Sequence, residues 1–222
     1  MQTKDSKPKE TKDQDKDMKT QPNETGPFHI EGHIKIFDPE SGHVYINKRN
    51  AIHYENMSIA LAQSLANSGQ GTIYQMAFGN GGTIVDPTGI ITYLTPNSVG
   101  TNSTLYNETY KKVVDDRSVS NTDPTRNKIE WEHVTGTTYT DIKVSCLLDY
   151  GEPSGQEAFD NGDNSGDYVF DELGLKGYDP TAPDNEGKLL THVMFHPVQK
   201  SLNRLIQIDY TVRIQSLSGF NG

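Results

Sequence analysis

Three stretches of this chain alternate apolar and polar side chains with a period of two, a pattern that confines the backbone to antiparallel strands with one wet face. Phe28, Ile30, Gly32, Ile34 and Ile36 fall on one side, and His29, Glu31, His33 and Lys35 on the other. Ile142, Val144, Cys146, Leu148 and Tyr150 alternate with Lys143, Ser145, Leu147 and Asp149. Ile206, Ile208, Tyr210, Val212 and Ile214 alternate with Gln207, Asp209, Thr211 and Arg213. Asp-Pro-Glu-Ser-Gly at 38–42 reads as the turn closing a first hairpin, with 44–46 returning. Residues 129–134, 168–171 and 189–196 read as further strands. The expected fold is mainly β, an antiparallel β-sandwich.

One segment departs from that period. Tyr54, Met57, Ser58, Leu61 and Leu65 recur at three- and four-residue spacing in a stretch rich in Ala, Leu, Met and Gln, and Asn67-Ser68-Gly69 follows as a stop. This predicts one amphipathic helix over about 54–67, with Leu61 and Leu65 buried. Residues 95–105, 115–127, 151–167 and 176–187 are polar or rich in Gly, Pro, Asp and Asn, and read as long surface loops.

Residues 1–26 hold six Lys against four Asp and two Glu, and their only large apolar side chains are Met1 and Met18. Such a segment cannot bury enough apolar surface to offset its ordering entropy, so it is expected to be a disordered charged arm ahead of a single β-rich unit at 27–222. Its charges cancel, and the net −10 of the chain therefore belongs to residues 27–222. A surface of that sign repels phosphates and anionic lipid, which argues against direct binding to nucleic acid or membrane. Cys146 is the one cysteine, which excludes an intrachain disulfide and fits folding in a reducing cytosol. No apolar run reaches the ~18 residues of a membrane span, and no signal-peptide core opens the chain.

Further along, the helix ends in ALAQSLANSGQG and IYQMAFGNGG follows at 73–82. Leu105-Tyr106-Asn107-Glu108 comes next, then Tyr168-Val169-Phe170-Asp171-Glu172-Leu173-Gly174-Leu175, then LLTHVMFHP. In this order the pieces resemble the N-terminal attachment domain of phage tail-fibre and tail-collar fibre proteins, over residues 51 to 215. Gly79, Gly81, Glu172, Leu173, Gly174 and Leu175 occupy the motif positions. The resemblance implies a virion structural protein, assembled in the host cytoplasm, that docks on other phage structural proteins as a homo-oligomer of three- or six-fold symmetry. Two departures, an added hairpin at 27–47 and no fibrous shaft after Gly222, suggest an adaptor at baseplate, neck/collar or head rather than a receptor-binding fibre.

Sites of chemistry are sparse. Asn161, Asp163, Ser165, Asp167 and Glu172, with Gly166 at the sixth position, have the spacing of an EF-hand calcium loop. Against calcium stand Asn rather than Asp at position one, the absence of flanking helices, and the place of Glu172 in the ELGL-like motif. An acidic glycine-rich surface loop is the plainer reading, and no cofactor is expected. His192 and His196, like His29 and His33, sit four apart on strands, so their Cα atoms lie about 13 Å apart, too far for one metal. All four read as ordinary sheet-face histidines. Gly79-Asn80-Gly81-Gly82 is followed by no Gly-Lys-Ser/Thr, and reads as a turn whose residues tolerate positive φ rather than a phosphate cradle. Cys146 reads as a buried inert thiol, and Trp131 as core packing or an interface anchor. No catalytic constellation appears, so the expectation is no enzyme. The alternative to the adaptor is a carbohydrate-binding or head-decoration β-sandwich, for which Tyr93, Tyr106 and Tyr178 are scattered stacking residues.

Overall fold

The computed structural model describes residues 28–154 and 169–216. It is mainly β, as the alternation requires, with one helix. The strands are β1 (Phe28–Phe37), β2 (Val44–Ile52), β3 (Ile73–Gly79), β4 (Thr83–Val85), β5 (Ile91–Tyr93), β6 (Glu108–Val113), β7 (Lys128–His133), β8 (Tyr139–Leu148), β9 (Val169–Tyr178), β10 (Glu186–Leu189), β11 (Thr191–Gln199) and β12 (Ile206–Ser216), and the helix is α1 (Tyr54–Leu65). The predicted arm at 1–26 lies outside the described residues.

Ten strands form one antiparallel sheet in the order β6-β3-β9-β11-β2-β1-β12-β8-β7, with β10 beside β9 as well. The sheet curls so that its two halves face one core. Ile34, Ile208, Val144 and Cys146 from the β2–β7 half meet Met76, Leu173, Leu175 and Val193 from the other. The halves share a short ladder, Thr191 opposite Ile52 and His192 opposite Ala51. Elsewhere the ladders are long: β1 pairs with β12, and β12 with β8, over ten residues each. The three alternating stretches are therefore β1, β8 and β12, which lie side by side and send one face inward.

The first turn forms as its sequence predicts. Asp38 Oδ1 accepts from Glu40 N at 2.8 Å and Ser41 N at 3.3 Å, and Gly42 takes φ 74°. Within β8, Leu147 departs from the pattern: it sits in a polar position yet is buried. The loop at 115–127 folds over it, with Asn127 Oδ1 accepting from Leu147 N at 2.8 Å. That loop is not simply surface, since Asn121 and Asn127 are themselves buried. The segment at 176–187 is likewise shorter as a loop than its composition suggests. Its ends belong to β9 and β10, which pair as a hairpin.

Helix α1 begins at the predicted residue and ends at Leu65, two residues short of the expected 67, and its buried stripe is displaced. Asn56, Met57 and Ala60 are buried, whereas Leu61 is half-buried, Tyr54 and Ser58 are exposed, and Leu65 is 88% exposed. The N-terminal anchoring decides this. His53 Nδ1 accepts from Asn56 N at 3.2 Å as the cap, His53 N donates to Leu190 O, and Asn56 Nδ2 donates to Leu189 O at 2.9 Å. The first turn is pinned to the β10–β11 junction, and the last turn runs out beyond the sheet. Trp131 also departs from its expected core role. It alternates onto the inner face of β7, but β7 is the last strand of the sheet and Trp131 lines an open groove with α1 and Ile73, which leaves it 75% exposed. Met57→Ala is expected to cost about 2–5 kcal/mol through lost burial and a residual cavity. Leu65→Ala should stay within about 0.5 kcal/mol. Urea unfolding midpoints of the two variants check the displaced stripe.

Candidate functional site: a buried carboxylate joining four segments

Strand β9 is buried on both faces. A polar residue there has no water, so each of its bonding groups needs a protein partner. Glu172 is 0% exposed, and both of its oxygens are fully engaged. Oε1 accepts from Asn107 N at 2.8 Å and Gly81 N at 3.1 Å. Oε2 accepts from Tyr106 N at 2.9 Å and from His192 Nε2 at 2.8 Å. His192, also 0% exposed, takes Asn97 N–H on Nδ1 at 2.8 Å, which places the ring proton on Nε2, facing Glu172. The ring of Tyr106 covers His192 at 5.8 Å between centroids. Burial alone would raise the Glu172 pKa, but the hydrogen bonds from His192, Asn107 and Tyr106 outweigh it and hold the carboxyl below its ordinary value.

Asp171, next in the chain, behaves oppositely. It accepts from Gly82 N at 2.8 Å and from the Thr83 hydroxyl. Desolvation dominates and pushes its carboxyl up. At the other end of the strand, Lys176 is buried between the carboxylates of Glu108 and Glu186, and Glu186 also receives Lys111 Nζ at 2.9 Å. Desolvation would lower the Lys111 ammonium, but the bonds to Glu186 and Asp184 carry it up to about 12.

The motif residues of the sequence thus come together. Gly79 and Gly81 lie beside Glu172; Leu173 and Leu175 enter the core; and Gly174 sits between them in β9. The glycines serve a purpose other than the expected one, because neither Gly79 nor Gly81 has positive φ. A Cβ on Gly79 would sit 2.4 Å from Asn107 O and 2.6 Å from Glu172 Oε1, and one on Gly81 would sit 2.7 Å from Asn107 N. Small size lets the 79–82 turn and the 105–108 segment close on the carboxylate.

Two expectations change. His192 is not an ordinary sheet-face histidine but a buried partner of Glu172, whereas His29, His33 and His196 are exposed. Sequence reasoning missed the pair because strand periodicity assigns a face and not a partner. Glu172 cannot close a calcium loop without giving up bonds to four donors. Asn161, Asp163, Ser165 and Asp167 lie outside the described residues. Among the described residues no group of three or more His, Cys, Asp or Glu is placed to hold a metal. Cys146 is buried, and burial pushes its thiol up to about 12, as an inert thiol requires. Burial lowers Lys200 to about 8, but its Nζ donates to Ser201 O and the residue is 0% exposed, beyond the reach of a substrate. The Glu172 site can fasten loops to the sheet; sealed from solvent, it offers no atom to a reactant.

Replacing Glu172 with Gln gives the site a donor where two donors already point. With each unpaired buried donor costing roughly 1–3 kcal/mol, Glu172→Gln should lose at least about 2 kcal/mol near neutral pH. A carboxyl with a depressed folded pKa contributes stability above its unfolded value of about 4.3, and that contribution disappears as pH falls through the folded value. The gap between wild type and Glu172→Gln should therefore narrow below about pH 4. Asp171, whose folded pKa is raised chiefly by desolvation, slopes the other way in both proteins; the Glu172 charge adds to that rise, so only the desolvation part cancels in the difference. Denaturant titrations across pH measure the gap; one that stays constant through acid would contradict the assignment.

No protein-family model, curated protein or solved structure matches this chain.

Proposed function

We propose that this chain is a non-enzymatic structural subunit of a tailed-phage particle, an adaptor for fibres or accessory proteins at the baseplate, neck/collar or head. The observation that carries the proposal is the convergence on Glu172. The 79–82 turn, the 105–108 segment, the ELGL-like strand and the LLTHVMFHP strand are far apart in sequence, yet each gives a group to, or packs against, that one carboxylate. These are the pieces that resemble the fibre-attachment domain. A set of motifs that hold one another, rather than a ligand, is the mark of a scaffold. The sealed site and the uncovered Trp131 support a protein that works by docking. The adaptor acts as a homo-oligomer in a three- or six-fold setting, with other phage structural proteins as partners.

A second reading has one observation in its favour. A polar cleft of about 490 Å³ opens between the end of α1 and the 115–120 loop, lined by Gln63, Asn67, Gln70, Asn185 and the edge-to-face pair Tyr74–Tyr178. Amides beside an aromatic ring suit a saccharide. Tyr93 and Tyr106 lie outside this cleft.

Mass spectrometry of purified particles should find the chain at fixed copy number, and a cryo-EM map of the particle should place it at a three- or six-fold attachment point. Absence from washed particles would remove the adaptor reading. Specific binding on a glycan array, lost in a Tyr178→Ala variant, would transfer the assignment to the saccharide reading.

A further inference from the structure

Among the described residues, two apolar surfaces are left uncovered. The first is a hairpin arm. Strands β4 and β5 pair with each other and lie outside the main sheet. A two-stranded ribbon in water is marginal by itself and has two open edges. Yet Ile84 is 56% exposed and Ile90 63%, with Val85 and Tyr93 beside them. The arm's one charged residue, Asp86, is held in the turn, where its carboxylate accepts from Thr88 N at 2.8 Å and Ile90 N at 3.0 Å. The body of the arm is therefore uncharged and largely apolar.

The second surface is a groove of about 430 Å³ lined mainly by apolar side chains, Met57, Leu61, Ile129, Trp131, Ile142 and Ile214 among them, together with Asp116, Arg117 and Glu130. It lies where the displaced last turns of α1 leave the edge of the sheet open, and its volume is within the ~300–1,000 Å³ of ordinary binding pockets. Trp131 is the kind of residue that anchors interfaces.

The arm cannot fill the groove of its own chain. The groove reaches β3 at Ile73, opposite Gly177, whereas the arm departs after Gly79, opposite Glu172. Six strand residues separate those points by about 20 Å, and the arm extends only about 10 Å from Thr83 to Asp86. Its base is also fixed, by Gly82 N and Thr83 on Asp171 and by Leu94 N donating to Gly82 O at 2.9 Å.

We propose that the β4–β5 arm of one copy inserts into the α1–β7 groove of a second copy, so that the chain assembles through arm-to-groove contacts. The occupant of the groove is thus another molecule of this protein. The contact is heterologous, because donor and acceptor surfaces differ, and repetition of it about a rotation axis closes a ring. One arm of eleven residues is small against the about 1,600 Å² of a standard interface. Each copy therefore gives an arm to one neighbour and receives one from another, and closure adds avidity. This names the surfaces of the oligomer proposed above but does not depend on where in a particle the oligomer sits.

The test uses the full chain in solution, by sedimentation velocity. Wild type should sediment as an oligomer. An arm variant, Ile84→Asp with Ile90→Asp, and a groove variant, Trp131→Glu, should each sediment as monomers. All three substituted side chains are exposed, so far-UV circular dichroism should match wild type, and Ile84→Ser with Ile90→Ser serves as a milder arm variant should it not. An equimolar mixture of the arm and groove variants retains one intact arm and one intact groove. It should form a 1:1 heterodimer and stop there, at concentrations roughly 10²–10⁴-fold above those that hold the wild-type oligomer, because a single contact lacks the avidity of closure. A monomeric wild type, variants that remain assembled, or a mixture that stays monomeric would each overturn the proposal. So would a groove variant that dissociates while the arm variant does not, since the groove would then hold a different segment. Particle composition tests the adaptor reading separately, and either can fail without the other.

Discussion

A carboxylate with no access to water must be surrounded by donors or it will not stay ionised in a folded protein. Glu172 meets that demand with three backbone N–H groups and one imidazole, and in doing so it dictates the path of the surrounding chain. Tyr106 and Asn107 must bring their amides to it, so the long segment between β5 and β6 ends pinned against β9. Gly81 must bring its amide to the same oxygen as Asn107, which fixes the exit from β3. His192 must face it across the β9–β11 ladder, and holds Asn97 with its second nitrogen. Loops that would otherwise lie loosely over a sheet are fastened at one atom group.

The same logic recurs along β9. Strand residues buried on both faces are usually continuous hydrophobic runs, yet here Asp171, Glu172 and Lys176 flank Leu173 and Leu175. Each charge is matched by a loop or neighbouring strand: Asp171 by the 82–83 backbone and hydroxyl, Lys176 by Glu108 and Glu186. The ELGL-like sequence is thus a central strand that covers the core with its leucines and ties down its covering loops with its charges. That arrangement favours one geometry over other packings, because misplacing any covering loop strands a buried charge.

How much of this was legible depended on whether the controlling contact was local. The alternation at 28–36, 142–150 and 206–214 identified three adjacent strands, and the Asp38 turn followed from residues four apart. The existence of α1 was legible as well. Its buried stripe was not, since Asn56 and His53 are anchored by Leu189 and Leu190, more than a hundred residues away. Trp131 was assigned to the correct face, but only the strand order reveals that β7 is an edge strand. The glycines at 79 and 81 looked like turn formers, and their reason is a carboxylate ninety residues downstream. His192 and Glu172 each looked unremarkable alone; the bond between them is a property of register.

The seam where the sheet's halves meet has only two rungs, and His192 is one of them. In mechanical terms the molecule is two stiff plates joined by a short weld. A load entering at Phe28 along β1 meets ten paired residues on β12, and behind them ten more on β8, all sheared together rather than peeled one at a time. The weld lies off that line, beyond β2, and its His192 rung is backed by the Glu172 carboxylate. Tension at this terminus is carried within one plate, and the curl that brings the second plate over the core is spared the strain.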